Sequence, residues 1–161
     1  MAFVALGSNL GNSVDIIARA FAQLQSLSSQ PILQSSLWQS TPVDCPPGSP
    51  LFVNGVAGLV PLANEIPLSL LRKLRGMEQQ FGRQPKKILN EPRVLDLDLI
   101  AFGAETMKTA DLVLPHPRAH LRKFVLQPLG EIAPDLVLPG QTQTVLELLR
   151  GMNTTEELKK L

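Results

Sequence analysis

Apolar residues along this chain switch between helical and strand spacing, and the switches outline its elements. Ala2 to Leu6 is a short apolar run that stops at Gly7, the pattern of a buried strand. Gly7-Ser8-Asn9-Leu10-Gly11-Asn12 is turn-forming. Ile16, Ile17, Ala20, Phe21, Leu24 and Leu27 then recur at helical spacing, with Asn12 as cap and Asp15 in the first turn. Pro31 to Ser40 predicts a second strand. Residues 41–50 carry four prolines, which excludes a helix and a central strand. Leu51 to Val60 predicts a third strand. Pro67 suits the first turn of a second helix, with Leu70, Leu74, Met77 and Phe81 as its core face and Gly82 as its end. A basic loop over 83–93 precedes a fourth strand, Val94 to Phe102. Beyond it, Leu112 to Leu114 reads as a short strand and 118–130 as partly helical. A last helix covers Thr144 to Leu149, and a polar tail follows Gly151.

Strand, helix, strand, strand, helix, strand is the split βαβ order of a ferredoxin-like fold. The expected class is therefore α+β, a mainly antiparallel sheet flanked by helices. A doubly wound α/β fold is the alternative, but no helix separates the strands between 31 and 60. No internal repeat or long linker appears, so residues 1–161 are expected to form one domain.

Composition narrows the class. Hydrophobic residues make up 44% and charged residues 18%, enough apolar content to bury a core. A net charge of +1 argues against a general nucleic-acid or membrane-surface binder. No run of 18 apolar residues exists, and no basic segment precedes the first apolar run, so neither a span nor a secretory leader is expected. The one cysteine, Cys45, allows no internal disulfide and reads as incidental, which fits a reducing, cytoplasmic setting. A monomer is the expected state.

Charge is informative locally. Residues 72–93 hold Arg72, Lys73, Arg75, Arg83, Lys86, Lys87 and Arg93 against Glu78 and Glu91, and 116–124 hold Arg118, Arg122 and Lys123 with no acid. Two basic segments in a nearly neutral chain suggest a bound anion. A solvated helix face accounts for Arg72, Lys73 and Arg75 equally well.

Residues 92–98 read Pro-Arg-Val-Leu-Asp-Leu-Asp. On a strand, Asp96 and Asp98 point to one face while Leu95, Leu97 and Leu99 point to the other. Two carboxylates side by side repel and resist desolvation, and a divalent cation relieves both. Mg²⁺ takes one or two carboxylates and completes its shell with water and phosphates. Arg93 stands where a cation could meet those phosphates. A salt-bridged pair, or carboxylates serving another metal-dependent reaction, remains open on these residues alone. No Walker-type or dinucleotide glycine motif occurs, so a nucleotide would depend on arginines, lysines and metal. No C-x-x-C or H-E-x-x-H supports zinc.

The ordered blocks carry more. Ala5-Leu-Gly-Ser-Asn-Leu-Gly11, Phe52-Val-Asn54, Glu78 with Gly82-Arg83, and Pro92 to Asp98 come first. Leu114-Pro-His-Pro-Arg118, Arg122-Lys-Phe-Val-Leu-Gln-Pro-Leu129 and Ile132-Ala-Pro134 follow. In this order and spacing the chain resembles the 6-hydroxymethyl-7,8-dihydropterin pyrophosphokinases of folate biosynthesis over nearly its whole length. The resemblance implies transfer of pyrophosphate from ATP to the pterin hydroxymethyl group, releasing AMP, with two Mg²⁺ ions held by Asp96 and Asp98. It implies that Phe52 and Phe124 sandwich the pterin, and that Asn54 and the backbone of Thr41, Pro42 and Val43 read its edge. It places Arg83 and Arg93 with the aspartates as catalytic residues, and Glu78, Arg93, His116 and Arg122 at ATP. Gly7, Ser8 and Asn9 read as structural, bordering the pterin pocket.

The loop from 84 to 91, Gln-Pro-Lys-Lys-Ile-Leu-Asn-Glu, departs from the family pattern. Many members carry an arginine and a tryptophan near Pro85 and Asn90, and Glu91 adds a negative charge. Lys86 and Lys87 replace forked donors by point charges. Weaker or slower closure of this loop is therefore expected. A non-catalytic pterin- or nucleotide-binding homologue is the alternative reading.

Overall fold

A computed structural model describes all residues from 1 to 161. The chain runs β1 (Ala2–Ser8), α1 (Ser13–Leu24), β2 (Leu33–Gln34), β3 (Trp38–Ser40), β4 (Phe52–Leu59), α2 (Pro67–Gln80) and β5 (Asp96–Phe102). It continues β6 (Met107–Lys108), β7 (Val113–Leu114), α3 (Lys123–Ile132), α4 (Val145–Arg150) and β8 (Leu158–Lys160). The main sheet has the order β5-β1-β4-β3-β8, with β2 also on β4, and every pairing is antiparallel. β1 and β4 flank each other at the centre although a helix and two short strands separate them in sequence. This is the ferredoxin-like split βαβ arrangement.

Alternation along the central strands divides the interior in two. Val4, Leu6, Val53, Leu59, Leu97 and Leu99 pack with α1 and α2 on one side of the sheet. Phe3, Val56 and Ile100 pack with α3 and α4 on the other. Gly55 is needed on the first side, because a Cβ there would lie 2.9 Å from the Phe21 ring. Both long helices start as their sequences dictate: the Asn12 side chain accepts from Asp15 N–H, and Pro67 occupies the first position of α2.

Three elements differ from the sequence expectation. β6, which was not expected, pairs with β7. The strand expected over Pro31 to Ser40 breaks into β2 and β3. Ser35 causes the break: its Oγ accepts from Val56 N–H at 2.8 Å and donates to Ser36 O at 2.8 Å, displacing the regular ladder. The polar tail, expected to carry no element, forms β8. It pairs with β3 in the register Trp38↔Lys160, Gln39↔Lys159, Ser40↔Leu158.

Candidate active site

α3 and the 3-10 turn before it (Ala119–Leu121) cover only part of their side of the sheet. Where the cover stops, the strands floor a cleft of about 250 Å³. Asp96 and Asp98 lie on this floor, because Leu97 between them and Leu95 and Leu99 on either side turn to the opposite core. The register aligns Asp96 with Gly7 and Gly7 with Asn54, so these three form a row across β5, β1 and β4. Strand spacing puts the outer two about 10 Å apart. Gly7 keeps the middle of the row clear: a Cβ there would reach to 3.7 Å from Asn54 Oδ1 and 3.8 Å from Phe52 Cδ1.

The Asn54 amide is held in place. Its Nδ2 donates to Ser40 Oγ at 2.7 Å and to Trp38 O at 3.2 Å, which leaves Oδ1 toward the cleft. Phe52 and Phe124 line the same cleft, each beneath a guanidinium: Arg93 lies 5.8 Å from the Phe52 ring and Arg122 5.4 Å from the Phe124 ring. Thr41 and Val43 form the rim from the proline-rich loop, with Pro42 between them off the lining.

Charge concentrates at the carboxylate end. Asp96 receives Arg83 at 2.7 Å and Arg93 at 3.0 Å, and Arg83 also pairs with buried Glu78 at 2.7 Å. Burial works against the Arg83 charge, but Asp96 and Glu78 outweigh it and raise its pKa. Asp98 has no hydrogen-bond donor or ion pair in the fold. Burial, and then the neighbouring Asp96, push its pKa up to about 6. Burial, and then Arg118, lower the pKa of Arg122.

Three of the residues expected at ATP or in catalysis stand off the cleft walls. Glu78 is sunk under β5, where Oε1 accepts from Leu97 N–H at 2.8 Å. Burial raises its pKa against the opposing pull of Leu97 N–H and Arg83. Arg83 reaches the cleft only through Asp96 and otherwise lines a second, basic cavity with Lys86 and Lys87. His116 follows a cis Leu114–Pro115 bond, and its Nδ1 accepts from Arg118 N–H at 3.2 Å. Burial and the Arg122 charge lower its pKa to about 4, so the ring is neutral at pH 7, with its proton on Nε2.

The two carboxylates fit a magnesium site by their chemistry. No third His, Cys, Asp or Glu joins them, and one carboxylate carries no protein partner. That donor set suits an ion that keeps water and phosphate oxygens in its shell.

The sequence pattern of 7,8-dihydro-6-hydroxymethylpterin-pyrophosphokinase (HPPK) matches residues 3–134. The chain belongs to the HPPK family. A 2-amino-4-hydroxy-6-hydroxymethyldihydropteridine pyrophosphokinase of Synechocystis is 38% identical over 96% of this chain and 77% of its own length. Its namesake in Haemophilus influenzae is 38% identical over 92% of this chain and 91% of its own. A solved HPPK-DHPS in complex with substrates shares the fold with a TM-score of 0.73 at 14% identity. The match covers 92% of this chain and 42% of that one, so this HPPK chain spans less than half of that solved protein.

Asn9 is structural, as expected: its Oδ1 accepts from Arg93 N–H at 2.8 Å, and its own N–H donates to Arg93 O at 3.1 Å. The HPPK cleft also contains residues that sequence reasoning missed: Asn90, Cys45 and Leu121 line it. So does Glu156, from the tail. The basic stretch 116–124 was a signal for Leu121, and nothing in the sequence pointed to Glu156. Glu91 turns into its own loop, where Oε1 accepts from Lys87 N–H at 3.0 Å.

Proposed function

We infer that this chain transfers pyrophosphate from ATP to the hydroxymethyl group of 6-hydroxymethyl-7,8-dihydropterin, giving AMP and the pterin diphosphate, a step of folate biosynthesis. The observation that carries this reading is the row Asp96–Gly7–Asn54. It sets a charge-handling pair at one end of the cleft and a heterocycle-reading amide at the other. A pterin between Phe52 and Phe124 meets Asn54 with its polar edge and directs its hydroxymethyl group toward Asp96 and Asp98. The backbone of Thr41 to Val43 adds edge contacts.

The hydroxymethyl oxygen attacks the β-phosphorus of ATP. A new O–P bond forms as the hydroxyl gives up its proton to Asp96 or Asp98 and on to solvent, the bond to the α–β bridging oxygen breaks, and AMP leaves with that oxygen. Asp96 and Asp98 would hold Mg²⁺, two ions in this reading, which neutralises the phosphates and polarises the reacting oxygens. Arg93 and Arg122 spread the phosphate charge, Arg83 acts through Asp96, and neutral His116, beside the cleft, donates a hydrogen bond from Nε2. Alignment and neutralisation supply most of the rate, since no side chain forms a covalent intermediate. Glu78 acts from below by holding Arg83. The whole chain works as one cytoplasmic unit, and no helix in it is long and apolar enough to cross a membrane.

The test is AMP formation from ATP, Mg²⁺ and the pterin, with a control lacking pterin. Pterin-dependent AMP is expected, and Asp96→Ala and Asp98→Ala should each abolish it while pterin binding persists. Binding of both substrates without AMP would make the chain a binding homologue. Near-native turnover in either variant would refute the metal assignment.

A further inference from the structure

The C-terminal tail reaches the cleft from the far edge of the sheet. β8 is fastened to β3 by its ladder and by Leu161 N–H to Leu37 O at 3.0 Å. Glu131 on α3 adds a clamp, accepting from Trp38 Nε1 and standing 3.9 Å from Lys160 Nζ. Between this anchored strand and α4, Glu156 turns into the cleft, and its Oε2 accepts from Phe124 N–H at 3.2 Å. Phe124 lies in the first turn of α3, where backbone N–H groups have no helical partner and no side chain at Arg122 caps them.

We propose that Glu156 is a positioning residue for the pterin site: it holds the Phe124 backbone and thereby sets the direction of the ring that stacks on the heterocycle. The proposal rests on the pterin-binding reading above. Its carboxylate satisfies an orphan donor at a helix start, where negative charge is favoured. Its charge adds, after those of Asp98 and Asp96, to the pull that opposes the Arg118 repulsion on Arg122 beside the same ring. β3 carries both partners of the Asn54 amide, so the tail braces the two contacts that define the slot, Asn54 through β3 and Phe124 through Glu156.

The experiment compares the full chain with Glu156→Ala and Glu156→Gln. Pterin affinity is read from pterin fluorescence, nucleotide affinity from a non-hydrolysable ATP analogue, fold stability from thermal unfolding, and Phe124 N–H exchange from NMR. Glu156→Ala should weaken pterin binding about tenfold, as expected for losing one orienting hydrogen bond. It should leave nucleotide affinity unchanged, lower Tm by no more than a few °C, and expose the Phe124 N–H to exchange. Glu156→Gln, which keeps an accepting oxygen, should restore most of the affinity and the protection. Unchanged pterin affinity in the Ala variant would overturn the proposal. So would a parallel loss of pterin affinity, nucleotide affinity and Tm, or a Gln variant as weak as Ala. A native chain that binds no pterin refutes the functional reading instead. Phe124 exchange then still decides the contact, since an unprotected N–H in the native chain overturns it.

Discussion

Asp98 lies on the cleft floor without a protein partner, and burial followed by Asp96 pushes its pKa up to about 6 from the 3.8 ordinary for an aspartate. Between those values the folded chain keeps a proton that the unfolded chain has lost. Stability therefore falls as pH rises through that window and stays reduced above it. At pH 8 the ionised carboxylate opposes the fold, and a cation in the cleft relieves it. Asp98→Asn is thus expected to raise Tm at pH 8 in the absence of metal, to leave it unchanged at pH 4, and to abolish turnover. Added Mg²⁺ should raise the Tm of the native chain at pH 8 and not that of the variant. Thermal unfolding at both pH values with and without Mg²⁺ checks this, and a lower Tm for Asp98→Asn at pH 8 would show that the carboxylate supports the fold.

The loop over 83–93 is tied to its neighbour by a polar contact. Asn90 Nδ2 donates to Asp44 O at 2.7 Å, joining this loop to the proline-rich one across the mouth of the cleft, and both residues adopt positive φ. One exposed hydrogen bond is a weaker anchor than a buried aromatic ring would be. Asn90→Ala should raise the pterin KM about fivefold, the equivalent of ~1 kcal/mol, with little change in kcat. Steady-state kinetics decide it, and an unchanged KM would mean that the contact does not hold the loop over substrate. Legibility in the sequence follows the same division between local and distant causes. α1, α2 and the facing of Asp96 and Asp98 were readable because period and caps are local properties. The break at Ser35 was not, since it depends on Val56, and β8 was not, since an edge strand with one inward leucine shows no alternation. Glu156 meets Phe124 across 32 residues, a contact no spacing rule reaches. Glu78 and His116 were identified by the family pattern, but their placement beneath and beside the cleft required the fold.

Two cores on opposite sides of one sheet give the molecule a division of labour that mutation can separate. Leu24 in α1 and Leu126 in α3 are both fully buried, one in each core. Truncating either to alanine removes the same side chain and leaves a comparable cavity, so each should cost about 2–5 kcal/mol and lower Tm by roughly 5–15 °C. Their effects on the site should differ. α1 packs behind the sheet, and the central strands stand between it and the cleft. α3 carries Phe124 in its first turn, with Arg122 just before the helix, so a void beneath Leu126 loosens the slot itself. Leu24→Ala should therefore keep a native pterin KM well below its Tm, while Leu126→Ala at equal stability raises that KM several-fold. Assaying both at a fixed interval below their own Tm removes the common loss of stability. Equal KM values would show that the sheet transmits packing defects to the cleft from both sides alike, and that the cleft is a property of the whole sandwich rather than of the α3 side.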